Sequence, residues 1–483
     1  MMYHPVRQYL LLSKPPVYSV SFRDTALLPA GEREDLAVGK VAQTAIDSES
    51  VRNDFDRVSI FQRPICNATW DSARRRWRDF VWQGEEGFTW APTEAKREVL
   101  YQCRPFYYRI DMSGESAPSH ISVSPVPQVG FRLAPMFRNG RDVVYRPCFA
   151  MGEDSDGIPH SRAGLTPLCM SVPKLVRKAM LFDDTARTER TADWFSDLLL
   201  MWVEFATRDL GAVMRGAADL HKTYTVTRQT GDENTFLRIS AADAVGLTEG
   251  MSLSCKIGDT AEIADIVSFE ELLDGSIGIT LDRPMLLSGL AYGDDGISEG
   301  VTATVMPWRS GAILPLLRSS SGVRSARNGL YAPLAWRGKE NAWGNSGSAL
   351  CDVSPSRNSY AKQGLYYLSD PQAWRGTTTL STDWKKLSDI TTEPGALGFV
   401  KTFTTSIEAE GLLWPVTVEQ SPTVRYFGAL FQHLITPPAM GVYVGTYRDS
   451  AEENNPATIR TTTMMAINYK YGGARLTLFE AED

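Results

Sequence analysis

Cysteine and histidine, the residues most often used for metal binding and redox chemistry, are dispersed along this chain. They are Cys66, Cys103, Cys148, Cys169, Cys255 and Cys351, with His4, His120, His160, His221 and His433. No Cys-x-x-Cys pair occurs, and the histidines show no metal-ligand spacing, so zinc ribbons and thioredoxin-type redox sites are excluded. Isolated cysteines with aromatic neighbours are typical of reduced core residues. The sequence therefore predicts no metal ion and no cofactor.

Hydroxyl and carboxyl groups give equally little sign of catalysis. A serine lies between glycines at 344–348, but the run lacks the strand–turn–helix setting of a hydrolase nucleophile. The acidic pairs at 183–184 and 270–271 are typical of solvated surface. A glycosidase needs two separated carboxylates facing each other across a cleft, which this sequence leaves open. We predict no enzymatic activity and no catalytic residue, with a glycan-acting enzyme as an alternative.

Composition and charge narrow the class of protein. The chain has 483 residues, of which 43% are hydrophobic and 22% charged, so two to four folded domains are expected. Its net charge of −7 is spread along the chain, which argues against a nucleic-acid binder because such proteins need a concentrated basic face. No apolar stretch reaches the roughly 18 residues that cross a bilayer. The first 12 residues do not read as a signal peptide, so cytoplasmic synthesis is expected.

Periodicity predicts mostly strands, with two helices. Apolar residues recur at three- and four-residue steps over 191–214, and a shorter helix is expected over 172–180, where Pro173 suits a first turn. Short strands are predicted in the irregular first 95 residues and more clearly over 99–124. Between 223 and 312, short strands alternate with Gly- and Asp-containing turns. This pattern predicts a small all-β barrel or sandwich inserted between two parts of a larger domain.

Five stretches carry a resemblance to a known family. They are a strand pair ending at 106–108, Gly-Phe-Arg-Leu-Ala-Pro-Met-Phe at 130–137, Trp-Val-Glu-Phe-Ala-Thr at 202–207, Trp-Arg-Gly-Lys-Glu-Asn-Ala-Trp-Gly-Asn at 336–345, and Gly-Gly-Ala-Arg-Leu at 472–476. Ala134 stands where the second motif has histidine. In this order the stretches resemble receptor-binding proteins of phage tails with a C-type-lectin-like, formylglycine-generating-enzyme-type fold. They are also similar to the variable proteins of diversity-generating retroelements.

The motifs also suggest structural roles. Gly338 and Gly344 allow tight turns, and Trp343 is expected to fill a core. Arg337 and Glu340 are candidates for an ion pair near that turn. Arg475, beside two glycines, is expected to tie the last strand to the loops.

The resemblance implies an α+β fold class: a C-type-lectin-like fold with an inserted small all-β domain and an irregular β-rich N-terminal region. Four parts are expected. Residues 1–95 would attach or oligomerise the protein, and 96–222 would form the first part of the lectin-like domain. The β insert would span 223–312, and the second part of the domain, with its ligand-binding loops, would span 313–483.

The implied function is host attachment by a tail-fibre or tail-tip adhesin. Catalysis of the formylglycine-generating type is disfavoured because those enzymes use a cysteine pair near the C-terminal core, whereas the final 132 residues here contain no cysteine. The calcium-binding sequences of sugar-binding lectins are also missing, although a calcium site stays open. The alternative is a structural virion protein, such as a baseplate or capsid decoration, without a receptor role.

Ligand contacts are expected near the C-terminus. Tyrosine offers rigid contact area, asparagine adaptable hydrogen bonding, and arginine a grip on planar acids. The predicted ligand-binding residues are His433, Tyr443, Tyr447, Arg448, Asn454, Asn455, Asn468, Tyr469 and Tyr471. Expected partners are a bacterial surface glycan or protein and other tail proteins, in a virion-borne homotrimer. Whether the C-terminal loops are diversified stays open.

Overall fold

Strands dominate the protein. The computed structural model describes residues 15–22, 29–111, 119–137, 140–217, 222–257, 260–285, 291–298, 300–325, 332–357, 363–389, 397–406, 409–419, 430–433, 439–445, 455–461, 464–465, 467 and 472–481. Strands contain 39% of the residues and helices 12%, and the described strands form seven sheets. The expected α+β lectin-like fold is therefore wrong, and the fold is β-rich. Its described helices are too short and too few to form a helical layer of their own.

The helices and the first strands have the following bounds. The helices are α1 (Val172–Phe182), α2 (Thr191–Phe205) and α3 (Ala241–Ala244). The strands before residue 170 are β1 (Tyr18–Ser21), β2 (Glu32–Asp35), β3 (Ala45–Ile46), β4 (Ile65–Asp71), β5 (Arg76–Trp82), β6 (Arg97–Cys103), β7 (Tyr107–Asp111), β8 (His120–Ser124), β9 (Arg132–Leu133), β10 (Val144–Pro147), β11 (Gly152–Glu153) and β12 (Pro159–His160).

The remaining strands lie in residues 223–305 and in the C-terminal third of the chain. The former are β13 (Thr223–Thr225), β14 (Phe236–Ile239), β15 (Ser252–Ile257), β16 (Thr260–Glu271), β17 (Ile277–Leu281) and β18 (Thr302–Val305). The latter are β19 (Ser321–Val323), β20 (Leu334–Trp336), β21 (Lys339–Glu340), β22 (Gly347–Leu350), β23 (Val353–Arg357), β24 (Gln363–Tyr367), β25 (Lys385–Asp389), β26 (Leu397–Thr405), β27 (Leu413–Glu419), β28 (Leu430–His433), β29 (Val442–Val444), β30 (Ile459–Thr461) and β31 (Gly472–Gly473).

The N-terminal segment shares its sheets with later parts of the chain. β1 pairs with β8, β4 pairs with β6, and β3 lies parallel to β19. The expected boundary at residue 95 therefore runs through three sheets, in which strands from both sides of it hydrogen-bond to each other. Strand pairing is decided by cross-strand contacts, which have no signature in local composition.

Helix α2 is shorter than the predicted 191–214 helix. It ends where Ala206 adopts a left-handed conformation with φ 51°, and the chain then runs beside the N-terminal segment, where Arg208 N donates to Pro29 O at 2.8 Å. A short 3₁₀ turn follows at Leu210–Ala212. The apolar residues beyond 205 are thus buried by tertiary contact rather than by continued helix. The predicted helix at 172–180 is confirmed as α1, with Pro173 in its first turn.

Six strands from residues 223–305 form a small barrel. Their order is β13-β18-β15-β16-β17-β14. Thr227, just after β13, exchanges two backbone hydrogen bonds with Arg238 of β14, at 2.9 and 2.8 Å, and so joins the two edges. Apolar residues alternate inward along the strands, with Leu253 and Ile279 fully buried. The strands of this sheet all fall inside the range of the predicted β insert.

The C-terminal sheet contains the closing strand of the chain. Its order is β27-β26-β28-β30-β29-β22-β31, so the last strand lies beside β22, which directly follows the 336–345 stretch. Gly472 and Gly473 pair in parallel with Gly347 and Ser348. Gly473 has no room for a side chain, because an added Cβ would lie 2.5 Å from Ser346 Oγ. This close approach explains the glycine at position 473.

Candidate functional site

Two of the predicted ligand-binding residues are buried. Tyr443 is 2% exposed, and its hydroxyl donates to the carbonyl of Met170 at 3.1 Å. Asn455 is fully buried; its Oδ1 accepts from Ala457 N at 2.9 Å, and its Nδ2 lies 3.3 Å from Asp209 Oδ1. Their assignment as receptor contacts is therefore wrong. Both side chains stabilise the interior, since β29 lies inside the sheet and Asn455 closes a turn.

Six of the other predicted contacts can be located only through the described residues on either side of them in the sequence. Tyr447, Arg448, Asn454, Asn468, Tyr469 and Tyr471 lie outside the described residues. The backbone of His433 ends β28 and pairs with Thr461, whereas Gly445 and Thr458 bond to each other at the opposite end of β29 and β30. The segment 446–454 therefore begins and ends at one end of the sheet, and His433 lies at the other.

Glu204 and Arg337 bring two motif stretches together in the core. Arg337 Nε lies 2.8 Å from Glu204 Oε2, and Arg337 Nη2 lies 2.7 Å from Oε1. Trp336 Nε1 and Asn53 Nδ2 also donate to this carboxylate, at 2.8 and 2.7 Å. Arg337 further donates to Phe61 O at 2.7 Å. The ion pair is thus fully hydrogen-bonded, which a buried pair needs to offset its desolvation.

Glu340 is not the partner of Arg337, so the predicted Arg337–Glu340 pair is wrong. The carboxyl group of Glu340 instead accepts hydrogen bonds from the four backbone N–H groups of residues 311–314, at 2.7 to 3.2 Å. Burial raises the pKa of Glu340, although these N–H groups lower it. A carboxyl group that accepts hydrogen bonds from four successive backbone amides holds the turn at residues 311–314 in place.

Arg475 ties the closing strand to the 336–345 stretch, as predicted. Its guanidinium donates to the carbonyls of Cys148 at 2.9 Å and Asn341 at 3.1 Å, and also to that of Glu340. Trp343 fills the core beside it, 1% exposed, and its Nε1 donates to Met214 O at 3.0 Å. The forked guanidinium suits this set of carbonyls, which lie on two separate segments.

A second buried charge cluster surrounds Glu189. Arg146 Nη2 and Lys339 Nζ each lie 2.7 Å from Glu189 Oε1. Lys339 also lies 3.0 Å from Asp197, which binds Arg63 at 2.6 Å. Burial alone would raise the pKa of Glu189, but Lys339 and Arg146 hold it well below its ordinary value. The cluster is therefore a set of ionised, mutually paired groups that hold α2 against its surrounding strands.

The spacing of the acids on α2 is a signal of these buried charges in the sequence itself. Asp193, Asp197 and Glu204 follow one another by four and seven residues on α2. That spacing puts them on one face of a helix that is otherwise apolar. A charged stripe on a buried helix requires buried cations, but it does not say which of the chain's 50 lysines and arginines supply them.

A cleft of about 590 Å³ opens beside the N-terminus of α2. Seven segments line it: the turn between β4 and β5, residues 135–136, residues 141–145, the start of α2, Asp352, residues 367–372 and the C-terminal residues 478–481. Asp352 lies at its buried end and accepts from Thr191 N at 3.0 Å and from Thr191 Oγ1 at 2.9 Å. Burial raises the pKa of Asp352 to about 7. The cleft combines convergent polar groups with a perturbed carboxyl, as ligand sites do.

Comparison with known proteins gives no family assignment. No protein-family model matches the chain, and no curated protein sequence matches it. In the parts of the chain that the structure describes, no helix has both the length and the apolar character needed to cross a bilayer. Nor do His, Cys, Asp and Glu side chains gather there in groups of three or more suited to a metal ion.

Proposed function

We propose that this chain is a bacteriophage tail receptor-binding protein, which attaches the virion to a molecule on the bacterial surface. The contact between separate motif stretches supports the proposal most strongly. Glu204 of the 202–207 stretch pairs with Arg337 of the 336–345 stretch, and Arg475 of the last stretch donates to the backbone of Asn341.

The contacts support a framework role for those motifs, and we propose the binding role for the segments between them. Gly445 and Asn455 are buried where the 446–454 segment leaves and rejoins the sheet, and Gly472 is buried where the 468–471 segment rejoins it. Loops held by a rigid scaffold are the usual place for binding residues. We therefore assign receptor contact to Tyr447, Arg448, Asn454, Asn468, Tyr469 and Tyr471, and leave out Tyr443, Asn455 and His433.

The proposal extends to assembly. Tail adhesins bind through many weak contacts, so a homotrimer attached to other tail proteins would raise avidity without any new contact. The virion tail is then the place where the chain acts, after synthesis in the host cytoplasm. Light scattering of the purified protein measures the subunit number directly, and a monomer at micromolar concentration would contradict the trimer.

Adsorption of virus particles to host cells tests the receptor role. The variant Tyr447→Ala/Arg448→Ala/Tyr469→Ala is expected to form intact particles that adsorb at least tenfold less. The matched control is Tyr292→Ala, which removes a tyrosine that is 43% exposed on the barrel, and it should adsorb normally. Particles that fail to assemble with the triple variant would favour the structural virion role, and normal adsorption would refute the proposed contacts.

A further inference from the structure

The cleft beside α2 is built as a binding site, and we propose that it binds a neutral carbohydrate, one or a few sugar units long. The inference rests on the lining of the cleft and does not depend on the proposed receptor role. Its volume of about 590 Å³ lies within the roughly 300–1,000 Å³ typical of small-molecule sites.

The charges around the cleft balance. The guanidinium groups of Arg75, Arg141 and Arg190 face the carboxyl groups of Asp370 and Glu480, and Arg190 is also paired with Asp193. The buried Asp352, whose pKa is raised to about 7, adds only part of a charge at neutral pH. A polyanion such as a nucleic acid or a phosphorylated polymer needs a surplus of positive charge, and an apolar ligand needs a lining largely free of ionised groups. A polar and uncharged ligand is what remains.

Donors and acceptors are interspersed on the wall. Arg75 Nη2 donates to Gln372 Oε1 at 2.8 Å and to Phe479 O at 3.0 Å, while its Nε is buried and has no acceptor among the described residues. The exposed Asp370 offers carboxyl oxygens, whereas the oxygens of the buried Asp352 already accept from Thr191. A sugar hydroxyl donates one hydrogen bond and accepts others, so neighbouring hydroxyls suit a wall on which guanidinium and carboxyl groups mix.

Two aromatic rings complete the site and are held in place beforehand. Tyr145 packs against Phe80 with ring centroids 4.7 Å apart, and its hydroxyl accepts from Gln102 Nε2 at 3.1 Å. The guanidinium of Arg190 lies 5.4 Å from the ring centroid of Phe479, and is itself fixed by Asp193 at 2.7 Å. Half-buried rings offer the apolar face of a sugar a surface at little entropic cost.

The C-terminal residues form one wall because two arginines hold them. Ala481 N donates to Arg75 O at 2.8 Å, and Arg141 pairs with the carboxylate of Glu480. Both arginines lie far from the C-terminus in sequence, so the cleft exists only in the folded chain. A site assembled from seven segments before any ligand arrives is preorganised for binding.

A printed array of neutral, uronic-acid-containing and phosphorylated bacterial oligosaccharides tests the inference on the full-length chain. We expect binding to neutral members, followed by calorimetry with the strongest of them. Ser369→Trp fills the cleft from an exposed position and should weaken binding at least tenfold. Asp370→Asn, which keeps the acceptor for Gln372 N, should weaken it about threefold.

Ser155→Trp is the matched control, because Ser155 is also exposed but lies outside the cleft, and it should bind as the unchanged chain does. Equal melting temperatures would show that all variants fold. Binding to acidic members alone, no binding to the array, or neutral binding that Ser369→Trp leaves intact would each overturn the inference. A peptide that competes for the cleft in place of sugars would do so as well. None of these outcomes depends on adsorption by the Tyr447 and Tyr469 variants.

Discussion

Glu204 and Arg337, 133 residues apart in the sequence, form a two-point ion pair in the core with N–O distances of 2.7 and 2.8 Å. The pair joins the end of α2 to the turn between β20 and β21. It thereby links α2 to the sheet formed by β21, β20, β19 and β3.

Removing one charge of this pair should destabilise the protein strongly. Glu204→Gln leaves the buried Arg337 with only the exposed Asp56, 3.1 Å away, as its carboxylate partner, and we expect a loss of about 3 kcal/mol in the free energy of unfolding. Urea denaturation measures the change. Arg52→Gln is the control, because it breaks a two-point pair with Asp54 in which the arginine is 64% exposed, and it should change stability little. Equal effects of the two variants would contradict the structural role of Glu204.

Gly344 should tolerate no side chain. A Cβ there would lie 2.8 Å from Gly216 Cα and 2.9 Å from Ala217 N, at φ +72°. Gly344→Ala is therefore expected to cost on the order of 3 kcal/mol, from overpacking and backbone strain together. Gly39 has nearly the same φ, +74°, but open space around it, so Gly39→Ala should cost only about 1 kcal/mol. A larger loss for Gly39→Ala than for Gly344→Ala in thermal unfolding would refute the close approach.

Arg475→Lys should weaken the attachment of the closing strand. Lysine has no fork and cannot reach the carbonyls of Cys148 and Asn341 together, which Arg475 contacts at 2.9 and 3.1 Å. We expect a loss of about 2 kcal/mol, and faster hydrogen exchange at Gly472 and Gly473. Arg74→Lys, at a side chain that is 65% exposed, serves as the control and should leave both measurements unchanged.

Asp352 should make stability depend on pH. Its pKa is about 7 in the folded protein against 3.8 for an ordinary aspartate, so between these values the folded chain holds a proton that the unfolded chain has released. Stability therefore falls as pH rises from about 4 to about 7, by on the order of 4 kcal/mol from this group. Asp352→Asn removes that contribution.

Melting temperatures of both proteins between pH 4 and pH 8 test this prediction. The unchanged chain should lose stability relative to Asp352→Asn as pH rises through that range. Parallel curves for the two proteins would mean that Asp352 ionises normally in the folded state.

Local sequence patterns predicted some elements and roles correctly. Helix α1, the turn glycine at 344, the buried Trp343 and the anchoring role of Arg475 each follow from residue type and immediate neighbours. The fold class did not follow, because motif resemblance indicated a lectin-like α+β fold while pairing across seven sheets gave a β-rich one. Tyr443 and Asn455 look like contact residues by composition, yet their depth depends on the strands around them.

By itself the sequence determined where turns, short strands and the main helices begin, since glycine, proline and apolar periodicity act over a few residues. Tertiary structure alone decided that Arg337 meets Glu204 rather than Glu340, and that residues near 75, 145, 190, 370 and 480 enclose one cleft. These relationships join segments that lie far apart in the sequence, 133 residues apart for Glu204 and Arg337. They are set by which surfaces exclude water together, and no local pattern records that choice.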